Sequence, residues 1–139
     1  MQELIERLQQ SGCSLVVCDS LGQTTTYNKK GVRDLVWLLD NEPWRLQGAY
    51  VADKVVGKAA AGLMVCANVA SVYGMTMSRQ ALPLFDDAGI PYEYEELVDA
   101  IIIPEGDNRC PLEQSVEDAV TAEEVELLLR EHFEEMKNK

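Results

Sequence analysis

Nineteen consecutive residues, Ala59 to Met77, carry no charge, in a chain where 26% of residues do. Such a run has to be buried, and its length approaches that of a membrane-spanning helix. Asn68, Ser71, Tyr73 and two glycines lower its hydropathy too far for lipid, so it reads as a buried helix followed by a buried strand. The helix is expected over roughly Lys54 to Val69, with Asp53 as its N-cap, because a carboxylate there accepts the unpaired N–H groups of the first turn. It is apolar nearly all round and should be sandwiched between layers. Ala59, Ala60, Ala61 and Gly62 would let its backbone press onto a sheet. Lys58 stands among these small and apolar neighbours, where a cation needs a partner or a route to solvent.

Elements on either side fall into alternation. Leu4, Ile5 and Leu8 share one helical face that Ser11 and Gly12 close. SLVVCDS and QTTTYN are β-branched runs split by a turn, a hairpin signal. Val32, Leu35, Val36 and Leu39 follow i, i+3, i+4, i+7 spacing, and Pro43 ends that helix. LQGAYVA and ASVYGMTM read as strands, and Ser78 as the cap of a helix that Pro83 makes irregular and Gly89 closes. IPYEYEELV and AIIIP are the last strand candidates. Thr121 and Glu124 form a capping box opening an acidic amphipathic helix at about 121–137. The expectation is a single α/β domain over 1–139, three-layered, with a mixed sheet of about five strands covered by helices.

Charge limits the partners. Met1 to Phe85 holds 7 acids and 8 bases, Asp86 to Lys139 holds 17 and 4, and the net charge is −12. A nucleic-acid polymer would be repelled by the acidic end, which reads as a solvated face. A single phosphorylated small molecule can still be drawn to a local site in the balanced part. MQELIERLQQSG carries acids and lacks an apolar core, unlike a signal peptide, so a cytoplasmic location away from membranes is expected. Cys13, Cys18, Cys66 and Cys110 lack metal-ligand spacing and should stay reduced. His132 falls seven residues after Val125 on or beside the apolar stripe, which points to a structural role. Apolar helices on a small sheet favour self-association as a homo-oligomer.

The order of elements, with DKVVGKAAA at Asp53 to Ala61 and CPLE at Cys110 to Glu113, resembles a family of uncharacterised bacterial proteins with a cytidine-deaminase-like fold that lack the zinc ligands. The likeness covers about Leu15 to Val116. Zinc deaminases open the core helix with His-x-Glu or Cys-x-Glu and the next with P-C-x-x-C. Here those positions read Lys58-Ala59-Ala60 and Ser78-Arg79-Gln80-Ala81, so the resemblance implies no zinc, no other cofactor and no zinc deaminase activity. It also implies that the helix starts near Asp53 and Ser78 converge where a deaminase holds its substrate.

Asp53, Lys58, Ser78 and Arg79 then become ligand-binding candidates for a phosphate or carboxylate. The expected ligand is a nucleotide-like or other phosphorylated small molecule, ADP-ribose-type compounds included. Pro111 suits a first helical turn, which makes Cys110 its N-cap beside Arg109, in a field that lowers a thiol pKa. Glu113 lies in that first turn, where its charge is favourable and where it could deprotonate a neighbour. Lys58, Cys110 and Glu113 are thus the catalytic candidates if the protein is a metal-independent enzyme. A third reading is an interaction module using the acidic C-terminal face.

Overall fold

The β-branched runs become two strands, β1 (Leu15–Cys18) and β2 (Thr24–Tyr27), paired antiparallel with Leu15 opposite Tyr27. Asp19 organises the turn between them: its Oδ1 accepts the N–H groups of Leu21 at 3.0 Å and Gln23 at 2.9 Å. On the other side of β1 lies β3 (Tyr50–Val56), also antiparallel to it, with Leu15 opposite Asp53. β4 (Ser71–Ser78) and β5 (Tyr92–Val98) follow in parallel, giving one mixed five-stranded sheet of order β2-β1-β3-β4-β5. This computed structural model describes residues 1–28, 32–101 and 111–137. Of AIIIP, only Ala100 and Ile101 fall within them, outside any strand; Cys110 and Arg109 lie outside the described residues.

Helices cover both faces of the sheet unequally. α1 (Gln2–Gln10) sets Leu4 and Leu8 against Val16, Ala52 and Tyr73 on one face. The other face carries the main core, where α2 (Arg33–Asn41), α3 (Lys58–Cys66), α4 (Leu82–Ala88) and α6 (Ala122–Lys137) bring Leu35, Leu38, Leu63, Met64, Phe85, Val125 and Leu129 onto Val17, Val51 and Val72. Ala59 to Met64 are all buried in α3, and fully burying Leu63 or Met64 contributes about 1.5–3 kcal/mol each. At Gly62 α6 comes close: a Cβ there would meet the Cβ of Val125 at 2.5 Å. Among the described residues no helix is long and apolar enough to cross a membrane.

One boundary differs from expectation. Asp53 does not cap a helix; it sits inside β3, opposite Gly74 of β4, and the strand runs on through Val55 and Val56, paired with Thr76 and Met77. The β-branched pair can extend the ladder, Gly57 interrupts it, and α3 starts only at Lys58. Its far end comes earlier as well, because Asn68 takes φ 60, a left-handed conformation that stops the helix before Val69. Elsewhere local signals hold. Ser78 Oγ accepts the Gln80 N–H at 3.1 Å ahead of a 3-10 turn, Pro83 lies in the first turn of α4, and Gly89 closes it at φ 71. β5, like β2, is an outer strand of this sheet, with Glu93, Tyr94, Glu95 and Glu96 exposed.

Candidate functional site

Where β3 ends, Gly57 turns the chain into α3, and the short helix α5 (Pro111–Ser115) crosses the junction. Together they leave a cleft of about 250 Å³ lined by Asp53, Lys54, Val55, Ala59, Leu112 and Glu113 among others. The C-terminal ends of parallel strands are the usual ligand position in open α/β sheets. Val55 and Ile101 also border a second depression, lined by Thr76, Val98 and Asp99.

Glu113 closes the helix start. Its Oε1 accepts the Lys58 N–H at 2.7 Å and its Oε2 the Ala59 N–H at 2.9 Å. One carboxylate, 6% exposed, therefore saturates the two leading amides of α3 and sits in the positive end of its dipole. Gly57 is required by this arrangement, because a Cβ on it would run into the Glu113 carboxylate. The amides that sequence reasoning offered to a ligand's phosphate are thus held by the chain's own acid.

Asp53 is the second carboxyl in the cleft lining. It is 8% exposed, and its Oδ1 accepts a long hydrogen bond of 3.4 Å from the Val55 N–H. Burial pushes its carboxyl up from 3.8 to about 7, backbone N–H groups of Val55 and Lys54 pull it part of the way back, and the charge of Asp34 on α2 raises it further. Among the described residues no cation pairs with it. A carboxyl of this kind can take up or release a proton near neutrality and has acceptor capacity to spare.

The remaining candidates lie elsewhere. Lys58 directs its Nζ to the Glu117 carbonyl at 3.0 Å, so it reaches neither Asp53 nor the cleft lining. Ser78 is fully buried at the end of β4, and exposed Arg79 donates from Nε to Asp99 Oδ1 at 2.9 Å. Neither Ser78 nor Arg79 lines the cleft, so the four residues do not form one constellation. His132 stacks edge-on with Phe133 on α6. Burial and the charges of Glu126 and Glu123 push the Cys66 thiol up to about 12, which disarms it as a nucleophile. Sequence reasoning missed Lys54 and Gly57 as parts of the cleft; the glycine directly after two valines was the available signal for the second.

A family model described as TM1506, domain of unknown function (DUF1893), matches residues 3–133. The crystal structure of a DUF1893 family protein (TM1506) from Thermotoga maritima is similar to this chain at 24% identity, with a TM-score of 0.83, covering 96% of this chain and 88% of that one. The likeness extends over nearly the whole fold described above. No curated protein matches the chain.

Proposed function

The chain belongs to the DUF1893 family, and on that premise we propose that it binds a nucleotide-like small molecule in the cleft at the end of β3. The observation that carries the proposal is Asp53, a carboxyl buried in that cleft and unpaired by any described cation. Ligand sites in globular domains are mainly apolar concavities with a few polar groups that fix orientation, and Val55, Ala59, Ala60 and Leu112 supply such walls. In this reading the heterocyclic end of the ligand enters toward Asp53. A phosphate-bearing end faces Lys54 at the lining, because the α3 amides are held by Glu113.

The proposal includes a cytidine-deaminase-like fold. It is supported by a sheet with β1 antiparallel to both neighbours, by the parallel run of β3, β4 and β5 and by helices on both faces. Zinc deamination is left out because Lys58, Ser78 and Ala81 stand at the positions that would bear the ligands. The decisive experiment is a thermal-shift panel of nucleosides, nucleotides and ADP-ribose. At tenfold excess over Kd a true ligand stabilises by about 1.4 kcal/mol, a rise of several degrees. A flat response across the panel at millimolar concentration overturns the reading.

A second reading, a metal-independent enzyme, is favoured by the titration of Asp53 at about 7, suited to general acid–base work near neutral pH. Turnover of a bound panel compound that disappears in Asp53→Asn while binding persists would establish it. Chemistry unaffected by that change would remove it.

A further inference from the structure

We propose that Asp53 recognises a paired N–H edge, so that the part of the ligand entering the cleft is a flat group with two parallel donors, of the amidine, guanidine or guanine type. This rests on the cleft being the binding site, and it names what that site selects. The carboxylate lines a largely apolar slot, and the only partners it has among the described residues are backbone N–H groups, that of Val55 at a long 3.4 Å from Oδ1 and that of Lys54. A carboxylate offers about four acceptor positions. The geometry that uses them best is a bidentate pair of near-parallel N–H···O bonds, which also fixes the plane of the incoming group.

The surroundings argue for donors over acceptors. Glu113 lines the same cleft, Asp34 lies close enough to affect Asp53, and the chain as a whole carries −12. Among the described residues Lys54 is the one cationic residue in the lining. A ligand presenting carbonyl oxygens to the ionised Asp53 would face acceptor against acceptor, whereas two N–H groups hold it in its ionised form and replace the water that burial has removed. The raised proton affinity of Asp53 agrees with this, being what a buried carboxyl shows when no strong donor is in place. Gly57, Ala59 and Ala60 keep the adjoining wall low, as a planar ring requires, and about 250 Å³ holds a purine-sized or smaller ring.

The probes are guanosine, inosine, xanthosine and benzamidine, titrated calorimetrically against the full chain. Guanosine and benzamidine present two donors, inosine keeps one, and xanthosine replaces the second with an acceptor. The expected result is binding of guanosine and benzamidine, with inosine and xanthosine weaker by at least about tenfold. Asp53→Asn exchanges one acceptor for a donor and should reverse the guanosine–xanthosine order. The parent's own ranking is informative even if that variant does not fold. Equal affinity for all three nucleosides, or an unchanged order in folded Asp53→Asn, overturns the inference. If nucleotides from the broader panel bind while guanosine and benzamidine do not, the inference falls and the cleft reading stands. If no compound binds at all, both fall.

Discussion

Two helix starts in this molecule solve the same problem in opposite ways. α6 is capped by its own sequence: Thr121 Oγ1 accepts the Glu124 N–H at 3.2 Å and Glu124 Oε1 accepts the Thr121 N–H at 3.3 Å. α3 has no side-chain cap from its own N-cap residue, Gly57, and takes its carboxylate from Glu113, 55 residues further along the chain. The first start can form as soon as its turn forms. The second is complete only once α5 has docked, so its stability is tied to tertiary structure.

The largest test of that difference is the pH dependence at the α3 end. The Asp53 carboxyl titrates at about 7 in the folded chain against 3.8 unperturbed, so the folded state holds its proton more tightly. That contribution is complete below about pH 4 and is lost as pH rises through 7. At 1.36 kcal/mol per unit the loss is about 4 kcal/mol. Asp53→Asn should therefore gain on the parent by about this much between pH 4 and pH 8.5 in urea melts, and a pH-independent gap would break the assignment. Next, Glu113→Ala leaves two leading amides of α3 without their carboxylate and should cost about 3 kcal/mol, the scale of hydrogen bonds to a charged group. A cost below 1 kcal/mol would make the two helix starts equivalent.

Gly62→Ala probes the contact that brings the two helices together. Overpacking against Val125 should cost about 2 kcal/mol and be largely recovered by Val125→Ala in the same chain. Additive losses would show that the contact gives way easily. The smallest effect is expected at the local cap, where Thr121→Ala should cost about 1 kcal/mol, with no change in ligand binding at the cleft.

The same contrast explains what could be read in advance. Ser78, Gly89, and the Thr121–Glu124 box were legible because each acts within a few residues of itself, as does the i, i+3, i+4 spacing of α2. Asp53 was misplaced because its local preference for capping competed with the ladder that Val55 and Val56 extend across to Thr76 and Met77. Pairing with a strand 21 residues away leaves no mark in a local window. The cleft was half legible: Asp53 and Glu113 were singled out, but the roles exchanged, with the distant acid doing the capping and the nearer one facing the cavity. Lys58 drew notice as a solitary cation, yet the Glu117 carbonyl that satisfies it belongs to the turn that follows α5, far along the chain.

The outer strand β5 carries a consequence of its own. An exposed edge is a template on which a second chain can add a strand, and the usual defence is charge. Glu93, Glu95 and Glu96 put three carboxylates on seven residues of that edge, so two copies pairing there in register would confront acid with acid. That protection depends on ionisation. Where that charge is taken away the repulsion fades while Tyr92, Tyr94, Leu97 and Val98 keep their affinity for β structure, so exchanging Glu93, Glu95 and Glu96 for glutamine should favour ordered aggregation that starts from this strand.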